Sequence, residues 1–186
     1  MSWYAGRVRR ALLLALALVS CIERPWEAGP ARARTDPATV RDLLLSAPPA
    51  EMTPVGAVFG VSAELAGYVV QPARLVPGER ATVILVWRCK AEMDAWRIFV
   101  HLDASDGSGQ RIHAEHDPAQ GRYPTDAWRP GDLVADTFSF VPGRTPLLLY
   151  LGLYTQGENR LRLDSPGRGR DDGNNRLLAG VLPLAQ

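Results

Sequence analysis

The chain has 186 residues, 21 Lys and Arg against 20 Asp and Glu, a formal charge of +1 and 22% charged residues. A near-neutral chain without a basic stripe lacks the electrostatic footprint of a nucleic-acid binder. It also gives no reason to expect electrostatic adhesion to a membrane, so any membrane attachment needs another device.

Residues 1–20 read as a targeting segment and are set aside from the fold. Arg7, Arg9 and Arg10 form a positive n-region, and Ala11–Val19 an apolar stretch too short to cross a bilayer. The stretch ends in Leu18-Val19-Ser20-Cys21. This tetrad resembles the bacterial lipobox, which implies diacylation of the Cys21 thiol and cleavage before it. Loss of residues 1–20 removes three arginines and no acid, moving the formal charge from +1 to −2. The acyl chains are then the membrane anchor, and two suffice for stable attachment. Ile22, not aspartate, follows the cysteine. The resemblance therefore implies a bacterial envelope lipoprotein at the outer membrane, facing the periplasm or the cell surface.

With Cys21 lipidated, Cys89 has no partner within the chain. It ends an apolar run, Thr82–Lys90, and its charged neighbours Arg88 and Lys90 point to the opposite face of a strand. A small buried hydrophobe is the expected role. Residues 22–35, rich in Pro, Ala and Arg, read as a tether. Asp36-Pro37 offers an N-cap and a proline at the first helical position, and Val40, Leu43 and Leu44 follow at helical spacing. One short helix is predicted over 37–46, ended by Pro48-Pro49.

From residue 53 onward the pattern is of short strands separated by turns. Runs at Ala57–Ser62, Leu65–Gln71, Arg80–Arg88, Trp96–Asp103, Gln110–His116, Leu133–Val141, Leu147–Tyr154, Arg160–Leu163 and Arg176–Leu184 predict about seven to nine strands. Ser105–Gly109 predicts a hairpin turn, Gly157–Asn159 another turn, and 164–175 a mobile polar loop. The expected fold is all-β, an immunoglobulin- or fibronectin-like sandwich over 53–186, preceded by a segment 21–52 of lipidated cysteine, tether and helix. The period of two places Val83, Leu85, Trp87, Phe99, Leu151 and Leu153 in its core.

Residues 121–132, Gly-Arg-Tyr-Pro-Thr-Asp-Ala-Trp-Arg-Pro-Gly-Asp, form a long loop with two large aromatics. A loop of this length in a compact domain is functional or packed by its own side chains. Two readings follow. Tyr123 and Trp128 plug one end of the sandwich, or they form, with Trp96, a platform on which a sugar stacks, with Arg122 and Asp126 taking its hydroxyls. Burial of Tyr123 and Trp128 would remove that platform.

The pieces Phe99-Val-His-Leu-Asp103, His116-Asp-Pro118, Gly121-Arg-Tyr-Pro-Thr125, Trp128-Arg-Pro-Gly131, Val134-Ala-Asp136 and Leu151-Gly-Leu-Tyr154 occur in this order. As a set they resemble a bacterial extracytoplasmic β-sandwich domain, similar to the soluble C-terminal module of protein-mannosyltransferase-type membrane glycosyltransferases. The resemblance spans residues 58–186. It implies a β-sandwich without catalytic residues of its own. The catalytic acids of those transferases lie in a multi-pass membrane part that has no counterpart here.

His101, Asp103, His113 and His116 invite a metal reading. Were residue 101 opposite 116 or 114 across the hairpin, His101, Asp103 and His116 would share one face and His113 would lie on the other. The spacing matches no compact metal motif, and the plainer reading is that His101 and His116 hydrogen-bond the long loop. The Asp103–Gly109 run lacks the closing glutamate of a calcium loop. No serine sits in a nucleophile elbow and no glycine-rich phosphate loop opens a helix. Asp171-Asp172 is a carboxylate pair without a pocket. No catalytic residue, metal or cofactor is therefore expected. The expectation is a non-catalytic binding or structural module whose partner is an envelope protein or a glycan.

Overall fold

A computed structural model describes residues 35–155 and 159–185. Cys21, the tether to residue 34 and most of the turn expected at 157–159 lie outside the described residues.

In place of one helix over 37–46 there are two 3-10 turns, Pro37–Thr39 and Arg41–Leu43. The predicted start is real: the Asp36 carboxylate accepts from the Ala38 N–H at 2.9 Å. Val40 then leaves the helical path, at φ −120° and ψ 8°, and buries its side chain. Leu44 is already extended and bridges Val134, and the Leu45 N–H donates to the Leu133 carbonyl at 2.8 Å. A helix this short is marginal alone, so pairing with a sheet edge prevails.

Ten strands follow among the described residues: β1 Thr53–Phe59, β2 Ala63–Gln71, β3 Ala81–Cys89, β4 Arg97–Ala104, β5 Arg111–His113, β6 Leu133–Phe140, β7 Leu147–Tyr154, β8 Leu163–Ser165, β9 Arg170–Asp171 and β10 Leu177–Leu182. They form two five-stranded antiparallel sheets, ordered β6-β3-β2-β1-β8 and β5-β4-β7-β10-β9. The all-β sandwich expected from the turn spacing is the fold. The count exceeds the expected seven to nine because 164–175, read as a mobile loop, contributes to β8 and supplies β9, which pairs with β10.

The core lies between the sheets. Val83, Leu85 and Trp87 enter it from β3, Ile98, Val100 and Leu102 from β4, and Leu149, Leu151 and Leu153 from β7, all fully buried. Phe99 is misplaced by the sequence reading. Its neighbours Ile98 and Val100 face inward, so strand parity turns Phe99 outward. It is buried there by covering side chains on the outer face of the second sheet. Cys89 is buried, and its Sγ donates to the Ala91 carbonyl at 3.2 Å. Burial, with the Asp132 carboxylate nearby, pushes the thiol up to about 11.

Candidate functional site

The long loop is packed, not displayed. Tyr123 and Trp128 are each only 3% exposed. The Trp128 indole lies against Trp87, with ring centres 6.4 Å apart, and Trp87 in turn packs on Phe59 at 5.8 Å. The Trp128 Nε1–H donates to the Tyr123 carbonyl at 2.9 Å, and the Tyr123 hydroxyl donates to Asp132 at 2.5 Å. Burial and this carboxylate raise the Tyr123 pKa and keep the phenol protonated. A ring without an open face cannot stack on a sugar, so of the two readings of the loop the packing of Tyr123 and Trp128 is that of the plug and not of the platform.

The polar residues of the loop serve its shape. The Arg122 guanidinium donates to both oxygens of Asp42 at 2.8 Å and to the Thr39 carbonyl at 3.0 Å, tying the N-terminal turns to the loop. Thr125, fully buried, donates to the Asp94 carbonyl and accepts from the Trp96 N–H, both at 2.7 Å. Asp126 has one buried oxygen without a hydrogen-bond partner among the described residues. Ala119, Gln120 and Gly121 all adopt positive φ, a costly run for non-glycine residues. The Ala119 N–H is fixed there by the buried Asp136 carboxylate at 2.7 Å.

Strand register separates the histidines differently from the sequence expectation. His101 lies opposite His113, and Ile98 opposite His116. His101 and His113 therefore share the outer face, and His116 points inward. There its Nε2 meets Asp136 at 2.7 Å and its Nδ1 the Ala114 carbonyl at 2.7 Å. Both partners present acceptor oxygens, so both ring nitrogens are placed to donate, an arrangement that favours the charged imidazolium. Burial opposes the charge, but the hydrogen bond and charge of Asp136 outweigh it and the pKa is raised. The proposed convergence of His101, Asp103 and His116 does not occur. The plainer reading, in which both histidines hydrogen-bond the loop 121–132, is not seen either: His116 bonds Asp136 of β6 and the Ala114 carbonyl, and His101 bonds Glu115.

His101 lies on the outer face of the second sheet, where a shallow groove of about 1120 Å³ runs across β4, β7 and the turn after β9. Its floor is aromatic. Phe99 lies over Gly152, its partner on β7, where a Cβ would sit 2.5 Å from the ring. Tyr154 meets Phe99 edge-on at 6.2 Å. Three guanidinium groups stack on this face: Arg160 on Phe99 at 4.6 Å, Arg176 on Tyr150 at 4.0 Å and Arg97 on Tyr154 at 5.5 Å. Such stacking is favourable for a planar cation over a ring.

The charges are paired among themselves. Arg111 grips Asp103 with two bonds of 2.6 and 2.8 Å. Arg176 bonds Asp172 and approaches Asp103 at 3.6 Å. The turn after β9 is built by its own acids: Asp171 accepts from the Gly173 N–H at 2.9 Å and Asp172 from the Asn174 N–H at 3.2 Å. Arg160 donates to the Asn174 carbonyl at 3.0 Å, joining the turn to the floor. The groove thus offers many oriented donors and acceptors with little net charge.

Beside this network, His101 Nε2 and His113 Nδ1 both approach the same oxygen of Glu115, at 3.1 and 3.0 Å. The His113 hydrogen bond and neighbouring charges hold the Glu115 pKa below its ordinary value, against the effect of burial. Burial, and then Arg111, lowers the pKa of His101. Of the groove, the sequence reading singled out only His101 and weighed Asp103, His113 and the Asp171-Asp172 pair, which it took to lack a pocket although Asp172 lines this one. The signal for Tyr150 and Tyr154 was present in Leu147–Tyr154, where alternation turns both tyrosines outward once the leucines are assigned to the core. Arg160 and Arg176 carried no local signal.

No family model matches the chain, and no curated protein matches it. Among solved structures, the C-terminal domain of Wzt is similar at 15% identity, with 73% of this chain and 89% of that one covered and a TM-score of 0.44. The resemblance to the glycosyltransferase modules gains no family match from these comparisons.

Proposed function

We propose that the chain is a non-catalytic binding module of the bacterial envelope, tethered by a lipidated Cys21, whose outer-sheet groove takes an uncharged, polyhydroxylated ligand: a segment of glycan. The observation that carries this reading is the groove itself. Concave sites with a few convergent polar groups are the default binding sites of folded domains. Here Arg111 and Arg176 are already paired with Asp103 and Asp172, and Arg160 is turned onto Phe99 and the Asn174 carbonyl. A strongly anionic ligand would have to compete with those carboxylates. A hydroxyl-rich ligand can bond to the free edges of the same ion pairs without separating them. The carbohydrate reading weighed for Tyr123 and Trp128 thus moves to the outer face of the second sheet, where Tyr154, partly buried, lines the groove. The tether rests on the order of n-region, apolar stretch and lipobox in residues 1–21.

Two experiments test the two halves. A glycan array probed with wild type and Tyr154→Ala is expected to show binding that the variant loses. A wild type that ignores every glycan yet captures an envelope protein would transfer the groove to a protein partner. Fractionation of cells expressing Cys21→Ser is expected to move the protein to the soluble fraction or leave it unprocessed. Unchanged membrane association and unchanged mass would defeat the lipid anchor.

A further inference from the structure

We propose that His101, His113 and Glu115 form a binding site for one divalent transition-metal ion of the zinc type, at the edge of the groove on the outer face of β4 and β5. Register is the first argument. Ile98 and His116 exchange two backbone hydrogen bonds of 3.0 Å, and hydrogen-bonded pairs recur at every second residue of an antiparallel ladder. His101 and His113, directly opposite each other, are therefore a non-hydrogen-bonded pair, the kind whose side chains stand closest. Their ring centres are 5.0 Å apart. Glu115, two residues beyond His113, returns to the same face.

Donor geometry is the second argument. One nitrogen of each imidazole and one carboxylate oxygen lie within 4.8 Å of one another. Zn–N and Zn–O bonds of about 2.0–2.2 Å put tetrahedral ligands roughly 3.3–3.5 Å apart. The two N···O spacings of 3.0 and 3.1 Å are close to that edge. The third edge closes by a turn of the His113 side chain, which is 60% exposed. Chemistry is the third argument. Two imidazoles with one carboxylate suit zinc and its neighbours, whereas calcium and magnesium prefer oxygen ligands alone. Three protein ligands leave a fourth position open, as in zinc sites that accept an outside ligand. Arg111, a cation on this face, is engaged by Asp103.

The test is titration of Zn²⁺ alone into the full-length protein, followed by calorimetry and by metal analysis after gel filtration. One equivalent per chain is expected, with no uptake of Ca²⁺. His113→Ala, a change at an exposed side chain, and Glu115→Gln should each weaken Zn²⁺ binding by about tenfold or more, since even outer-shell partners of a metal contribute on that scale. Both variants should keep the wild-type circular dichroism spectrum. Wild type that takes up no zinc, or variants that bind it as wild type does, would overturn the site. Because no glycan is present, failure here is separate from failure of the groove to bind sugar.

Discussion

At the scale of the residue, the decisive groups are those whose environment fixes their chemistry. Trp128 removes a large ring from water at the sandwich end, on the order of 150–250 Å² for a side chain of this type. Trp128→Ala should cost ~3–5 kcal/mol, read as a lowered thermal midpoint, as for other buried aromatic truncations. An unshifted midpoint would mean that the loop does not depend on the indole. Asp136 is fully buried and accepts from His116 and from the Ala119 N–H. Removing one member of a buried pair leaves the other charge uncompensated, at a cost of about 3–5 kcal/mol. His116→Ala should therefore destabilise on that scale by urea denaturation, and a change under ~1 kcal/mol would contradict the pairing. Cys89, with its thiol pushed up to about 11 and buried, should resist a thiol reagent at neutral pH and react only once the chain is unfolded.

At the scale of the element, β4 and β7 each do two jobs by parity. Their inward leucines, isoleucine and valine build the core, and of their outward residues Phe99, His101 and Tyr154 line the groove while Asp103 and Tyr150 hold Arg111 and Arg176 beside it. Gly152 is the place where the two strands must fit each other, because Phe99 fills the space above it. Gly152→Ala should displace the ring, lower stability by ~1–3 kcal/mol as overpacking does, and disturb groove binding together with it. A variant with wild-type melting and wild-type binding would show that the floor is not held this way. Much of this was legible in the sequence. Alternation and turns marked the strands, and Pro124, Pro130 and the glycines of 121–132 marked a loop held in one shape. The register of β4 against β5 was not legible. A shift of one residue turns every side chain to the other face, which is why His101 was joined to His116 and not to His113. The helix over 37–46 failed for a related reason: pairing of Leu44 and Leu45 with β6 is a tertiary event that local spacing does not announce.

At the scale of the molecule, the two sheets divide the labour. The long loop and the His116–Asp136 pair close the sandwich around Trp87 and Trp128, and the outer face of the other sheet is left to carry a ligand. The groove was invisible to motif reading because its parts come from β4, β7, the turn after β9 and Arg160, residues far apart in the chain that only the sheet order brings together. The two faces make opposite predictions for two mutants, and one measurement compares them: a glycan array, with a thermal melt of each sample, run on wild type, Tyr154→Ala and Trp128→Ala. The account predicts that wild type binds, that Tyr154→Ala loses binding while its melt stays near that of wild type, and that Trp128→Ala melts much earlier yet binds wherever it remains folded. Glycan binding that survives Tyr154→Ala and vanishes in a fully folded Trp128→Ala would contradict it.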